Sequence, residues 1–380
     1  MTTTAKTHGL NGTLVEPDWA PLEAAEMRVL LEQYGIMGTV RIESVSPRPF
    51  SAASVVRAGG ERVFVKRHPH AVRDAVGIAE EHAFLAHLLD HGANVPRVLS
   101  TRAGATAVEL DAWTYEVHAI PAGVDVYEEA LSWTPYHSAA HARAAGAALA
   151  QLHQAAANYT APARKVQPLV ASFSIFASND TASAMERYLA ERPALVNDGQ
   201  TRIDCERALE LFAPLHDELR PCLPGLAPLW THNDLHGSNL LWTDGDDQAR
   251  VTAVIDFGLA DRTNAVHDLA HAVERSVVEW LKLTDDSAHV PVHYDQLFAL
   301  LEGYEQVRTL TDTERNALAP MAALCHAEFA LTEADYFLGV LHSPERARVA
   351  TEDYLAGHAQ WWCGPGRTML DTLRRWAEAR

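Results

Sequence analysis

Apolar side chains recur at helical spacing in PLEAAEMRVLLEQYG (residues 21–35), behind a first-turn glutamate pair and ahead of a closing glycine. That pattern predicts a helix. The period then falls to two. GTVRIESVS (38–46) and SAASVVRAGGERVFVKRH (51–68) predict strands, with Gly59-Gly60 turning the second run into a hairpin. DAVGIAEEHAFLAHLLDHG (74–92) returns to an amphipathic helix and stops at Gly92. Two β-like runs, TAVELDAW and TYEVHAI, follow around a short break. Residues up to about 119 therefore read as β-rich with an inserted helix.

Beyond IPAG (120–123) the pattern changes. AAHARAAGAALAQLHQAAA (139–157) is alanine-rich and helical, and helical spacing dominates from there onward. One stretch departs from it: APLWTHNDLHGSNLLWTDGDDQARVTAVIDFGLADR reads strand, loop, strand, turn, strand, with DGDD (244–247) as the turn. After AVHDLAHAVERSVVEWLKL the last hundred residues or so are almost all helix, with CGPG (363–366) marking a loop before a final one. No repeat or low-complexity tract interrupts the chain. The outline is an N-terminal lobe over 1–119, carrying a helical extension, and a helical lobe over 120–380.

At 380 residues the chain exceeds one small core, in keeping with two lobes. Hydrophobic content of 48% and charged content of 21% are ordinary for a globular protein. No apolar run reaches membrane-spanning length, and the polar start MTTTAKTHGLNGTLVEPDW lacks the apolar core of a secretory signal. Cys205, Cys222, Cys325 and Cys363 fit neither a zinc nor a redox spacing, so a reducing cytoplasm is the simplest location. A formal net charge of −19 argues against sequence-independent nucleic-acid binding and favours a cationic small molecule by long-range steering, although acidity also serves solubility. Among 31 basic residues only Lys6, Lys66, Lys165 and Lys282 are lysines. Each lysine therefore asks for a reason.

Lys66 ends the apolar strand RVFVKRH, where alternation turns it inward, and an inward lysine needs an anionic partner. The next helix offers Glu80 and Glu81. Asp234 and Asn239 share the loop HNDLHGSN, and Asp256 follows the near-continuous apolar strand VTAVI. These residue types suit phosphoryl transfer, which depends on positioning and charge neutralisation. A strand lysine holds phosphates, one aspartate orients a hydroxyl, and a second aspartate with an asparagine supplies the oxygen donors that magnesium prefers.

HNDLHGSN followed by IDFG resembles the aminoglycoside phosphotransferase and choline kinase family, the small-molecule branch of the protein-kinase-like fold. VFVKRH, EEHAFLAHLLDHGANVP, YEVHAIPAG and ALAQLH match further family features in order, from about Val63 to Asp268. The resemblance implies an α+β, protein-kinase-like two-lobed fold. It further implies an ATP- or GTP-dependent, magnesium-requiring kinase acting on a hydroxyl of a small molecule. Asp234 is then the catalytic base or orienting carboxylate, and Asn239 and Asp256 are the magnesium ligands. Lys66 contacts the α- and β-phosphates, with Glu81 as its ion-pair partner in preference to Glu80. Backbone groups of Glu116, His118 and Ala119, within the segment 116–120, meet adenine. Ser51 and Ser54 are the expected phosphate contacts in SPRPFSAASVV, a covering loop without glycine. An amino-sugar antibiotic or other aminated metabolite is the first expectation for the acceptor; choline, homoserine and a simple sugar are the alternatives. The absence of H-R-D and A-P-E segments argues against a protein kinase proper.

Rival readings attach to the same residues. His232 and His236 stand at i, i+4 like a zinc pair, but Asn233 occupies the position where a metalloprotease needs glutamate. A catalytically silent nucleotide-binding regulator is disfavoured by the presence of all four polar groups. Asp261 and Asp268 read as structural, one ordering a loop and the other capping a helix. Glu328, Thr332 and Asp335 fall at i, i+4, i+7 and, with Glu274 and Glu279, are candidates for an acidic acceptor cleft; the competing reading is a solvated helix face.

Overall fold

A computed structural model describes residues 17–244, 248–283 and 290–379. Most of the polar N-terminal leader and residues 245–247 of the DGDD turn lie outside the described residues.

The small lobe is an antiparallel sheet of five strands in the order β1 (Val40–Val45), β2 (Ala52–Ala58), β3 (Glu61–Pro69), β5 (Trp113–Ala119), β4 (Ala107–Leu110). Helix α1 (Ala24–Gln33) precedes the sheet, and α2 (Ala75–Asp90) lies between β3 and β4. Asp74 caps α2 by accepting from the Gly77 N–H. Because partners in register share a face, Ala53, Lys66 and Glu116 point one way and Ser54, Val65 and Val117 the other. The second set faces a core that includes Met27, Leu30, Leu31, Val56 and Tyr115. The first faces the gap between the lobes.

In the large lobe α3 (Ala139–Ala156), α4 (Thr181–Ala190), α5 (Pro193–Val196) and α6 (Gly199–Leu219) precede four short strands. Of these, β6 (Pro228–Thr231) pairs with β9 (Asp261–Asn264), and β7 (Leu240–Trp242) pairs with β8 (Val251–Val254). The sequence pattern predicts three strands here and misses β9, whose residues DRTN carry no apolar alternation. Then come α7 (Ala265–Val277), α8 (Tyr294–Val307), α9 (Asp312–Leu324), α10 (His326–Gly339), α11 (Pro344–Arg348), a π-helical stretch over Val349–Gly357, α12 (His358–Cys363) and α13 (Arg367–Glu378). Helices α3 and α8 meet backbone to backbone. A β-carbon on Gly146 would lie 2.0 Å from Leu300 O, and one on Gly303 2.0 Å from Arg143 O. Only glycine permits that approach at both points.

An N-terminal strap joins the lobes. The Asp18 N–H donates to Pro49 O, while its carboxylate accepts from Tyr336 Oη on α10 and pairs with Arg346 on α11. Trp19 Nε1 donates to Tyr336 Oη, and Arg67 of β3 donates to Ala20 O. Phe50 packs edge-on against Tyr336. Loop 46–51, between β1 and β2, is thereby fastened over the inter-lobe gap.

Candidate functional site

The loop after β6 is shaped by one buried carboxylate. Asp268 of α7 accepts from the backbone N–H of His232 (2.8 Å) and of Asn233 (2.7 Å), and from His153 Nε2 at 3.0 Å. Those partners overcome burial and hold its pKa below the usual range. Asp268 therefore anchors the loop, and Asn264 caps α7 in the place assigned to an aspartate by pattern alone. Asp261, the other residue expected to be structural, accepts from Arg164 N–H and Ser172 Oγ. Asn233 takes a left-handed backbone (φ 62°), its side chain donating to Ala171 O. The chain then turns so that Asp234 faces the gap. Asn239 Nδ2 donates to Asp234 O (2.8 Å) and Oδ2 (3.1 Å), which locks the two functional residues together and leaves the amide oxygen of Asn239 as its donor to a cation.

His232 Nε2 meets Ile255 O at 2.9 Å, and its Nδ1 accepts from the Asp234 N–H. Both ring nitrogens are committed to backbone, so the imidazole is a brace. Burial pushes His236 down to about 4, which keeps it neutral beside Asp234 at 3.8 Å.

Asp256, after β8, also has a left-handed backbone (φ 62°), and Lys66 Nζ lies 2.7 Å from its Oδ1. Burial works to raise the pKa of Asp256, and the Lys66 ion pair outweighs it, pulling the value to about 2. Lys66 is raised: Asp256, Glu116 and Glu81 together outweigh its desolvation. Both groups stay charged across the physiological range. The expectation that Glu81 pairs directly with Lys66 is corrected here. Glu81 faces inward as expected, unlike Glu80, but its ion pair is with Arg164 at 3.7 Å. The physical reason is that Asp256 occupies the lysine head.

Glu116 replaces that link by another route. Its buried carboxylate receives Nε2 of His68, His82 and His118 at 2.9, 2.9 and 2.8 Å. His82 belongs to α2, so this knot ties the helix to the sheet beside Lys66. Burial opposes ionisation of Glu116, and the imidazoles reverse it, holding the carboxyl well below its ordinary value.

Of the remaining expected nucleotide contacts, Ser51 borders the inter-lobe cavity. Ser54 does not: it sits on the core face of β2, opposite Val65, because alternation turns it away. The segment expected to meet adenine is partly bonded within the sheet. Glu116 and His118 stand in ladder register with Lys66 and Phe64, Val117 O accepts from Leu99 N–H, and the Ala119 N–H donates to Arg97 O. The Val117 carbonyl and the Ala119 N–H are thus taken within the sheet.

The proposed acidic face of α10 is neither a cleft nor solvated. Glu328 accepts from the N–H groups of Ser174 and Ile175, Thr332 Oγ1 accepts from Val170 N–H, and burial pushes Asp335 up to about 6. Glu274 is fully buried against His358, and Glu279 pairs with Lys282 and His293. The residues of α10 that reach the cavity are Phe329, Glu333 and Phe337.

That cavity, about 370 Å3, is lined by Lys66, Asp234, Asn239 and Asp256 together. Sequence reasoning missed three neighbours. Arg275 of α7 lies 3.0 Å from Asp234 Oδ1, its guanidinium 3.8 Å from the Phe329 ring centroid and 5.1 Å from that of Trp133. Arg48 reaches in from loop 46–51, and Glu333 presents a buried oxygen without a hydrogen-bond partner. Arg275 and Glu333 sit on helices whose patterns signal only burial, and Arg48 precedes a strand; a charged residue amid an apolar face was the available signal. The ionised Asp256 carboxylate, which attracts the Lys66 cation, and the Asn239 amide oxygen form a hard donor set that fits a magnesium ion.

The sequence profile of the phosphotransferase enzyme family matches residues 48–310. A homoserine kinase of Granulibacter bethesdensis is 28% identical over 58% of this chain. The match spans 59% of that relative's length. Another homoserine kinase, from Bradyrhizobium diazoefficiens, is 27% identical over 72% of each chain. Among solved structures, a microcompartment-associated aminopropanol kinase superposes with a TM-score of 0.60 at 18% identity, covering 93% of this chain and 99% of its own. That last likeness concerns the fold, which is the protein-kinase-like fold expected from HNDLHGSN and IDFG. With well over half of its length matched by the profile, the chain belongs to the phosphotransferase enzyme family.

Proposed function

We propose that the protein transfers the γ-phosphate of ATP to a hydroxyl of a small aminated molecule. The observation that carries this reading is the convergence of Lys66, Asp234, Asn239 and Asp256, from three separate parts of the chain, on one cavity. Asp234 accepts or orients the acceptor proton, with Arg275 and Asn239 fixing its carboxylate. Lys66 leaves Asp256 for the phosphates when nucleotide binds. Magnesium, held by Asn239 and Asp256, would supply neutralisation of the phosphate charge. Loop 46–51, with Ser51 facing the gap, excludes water over the phosphates. The lobe boundary at 119/120 divides nucleotide binding from catalysis and acceptor binding.

Cavity size favours a metabolic acceptor over a polycyclic antibiotic. A volume near the lower end of the usual ~300–1,000 Å3 range for ligand sites must also admit phosphate oxygens. The homoserine and aminopropanol kinases among the relatives support the same direction. The test is ADP release over amino alcohols, hydroxy amino acids, sugars and aminoglycosides, with Asp234→Ala beside the parent. The parent should turn over a small amino alcohol or hydroxy amino acid, and the variant should lose nearly all transfer while still binding nucleotide. Undiminished turnover in Asp234→Ala refutes the mechanism.

A further inference from the structure

The cavity wall around Asp234 carries more positive charge than phosphate transfer through Lys66 and a metal requires. Arg346 is answered by Asp18. Arg275 is ion-paired to Asp234, yet its Nε and Nη2 are buried without a hydrogen bond of normal geometry. Arg48 donates through Nη1 to Ala130 O, and its Nη2 is buried without a partner. A buried guanidinium nitrogen left unbonded is costly, and an incoming oxyanion removes the cost. Both arginines border the cavity, and both act electrostatically on His236 beside Asp234. The opposite polarity is supplied by Glu333, 3% exposed, whose Oε2 has no partner and which is coupled electrostatically to Arg275, Asp234 and Arg346.

We propose that the acceptor is a zwitterion, its carboxylate held by Arg48 and Arg275 and its ammonium by Glu333, with its hydroxyl presented to Asp234. This rests on the kinase reading above and narrows it. A carboxylate bound by two guanidinium groups discriminates against an amino alcohol without one, because the empty position leaves buried donors unpaired. An ammonium beside Glu333 favours its ionised form. Burial pushes the free carboxyl up to about 8, so acceptor binding below that pH should release a proton. Arg275 holds Asp234 until the acceptor arrives, and then shares its donors between them.

The experiment compares L-homoserine, 3-aminopropan-1-ol and 4-hydroxybutyrate as probes. Binding is read by thermal shift in the presence of a non-hydrolysable ATP analogue, and turnover by ADP release. The parent should be stabilised by L-homoserine far more than by either truncated probe, and should prefer it by about a hundredfold in kcat/KM. Arg48→Gln should cut kcat/KM for L-homoserine by about thirtyfold or more and so collapse the preference for it over 3-aminopropan-1-ol. Equal shifts from L-homoserine and 3-aminopropan-1-ol overturn the carboxylate assignment, whether or not ADP appears. Loss of nucleotide affinity in Arg48→Gln, with acceptor preference kept, overturns it as well, because the oxyanion is then a phosphate of the nucleotide. An L-homoserine-specific shift without ADP release in the parent supports the zwitterion site and refutes the kinase reading alone.

Discussion

Asp268→Asn tests whether the catalytic loop is held by charge. Oδ1 accepts from Asn233 N–H, and Oδ2 accepts from His232 N–H and His153 Nε2. Every partner is a donor. An amide must therefore turn its NH2 toward at least one N–H group, and the cheaper orientation gives up Oδ1. One charge-assisted bond, worth roughly 1.5–3 kcal/mol, is lost, and a buried unpaired donor adds about 1–3 kcal/mol. The total of about 2.5–6 kcal/mol brackets the usual ~3–5 kcal/mol cost of breaking one side of a buried charged pair. For a chain of 380 residues this lowers the melting temperature by about 3–7 °C. The displaced segment also carries the left-handed Asn233 and then Asp234, so a shift of about 1 Å should cost turnover on the order of a hundredfold. Differential scanning calorimetry with and without nucleotide, alongside ADP release, measures both effects. An Asp268→Asn protein that melts within about 1 °C of the parent and keeps its turnover would show that the loop owes its shape to packing and not to this carboxylate.

Two further outcomes follow from the same geometry. Glu333 is protonated in the fold up to about pH 8 and ionised in the unfolded chain above its ordinary 4.5, so its contribution to stability is full below pH 4.5 and fades as pH rises toward 8. Glu333→Gln should thus match the parent near pH 5 and gain on it by up to about 1.4 kcal/mol per pH unit above that; parallel melting curves from pH 5 to 8 would contradict a neutral carboxyl. Gly146→Val places carbon on Leu300 O and should force α3 from α8, with loss of soluble protein or a fall in urea midpoint greater than that of Gly199→Val, where nothing crowds the β-carbon.

The sequence made the candidate catalytic residues legible because their chemistry is local. HNDLHGSN and VIDFG place polar groups where apolar strands end, and Lys66 is marked by alternation and by the scarcity of lysine. The same rule of two predicts that Ser54 opposes Ser51 across the strand, since the positions differ in parity. Pairing choices were not legible. Glu81 and Asp256 compete for one lysine, and only the relative placement of α2 and β8 decides it. Helical spacing likewise defined a face through Glu328, Thr332 and Asp335 but not what that face meets. Residues 326–337 of α10 are buried all round, so Glu328 and Thr332 bond to the 170–175 segment and Glu333, one position on from Thr332, takes the cavity.

The strap and the helices it clasps have a consequence for how specificity changes. The groups proposed to handle phosphate fall within residues 48–310, the span that the family profile matches. Phe329, Glu333, Phe337 and Tyr354 of the acceptor wall lie after it, and Asp18, which pins loop 46–51 to α10 and α11, lies before it. Part of the acceptor wall is thus encoded outside the stretch that carries the proposed chemistry, while Arg48 and Arg275 lie inside it. A trimmed fragment limited to the common span would keep the reactive groups and lose the far wall. A graft of residues 326–357 together with 17–20 would carry the far wall and its clasp together.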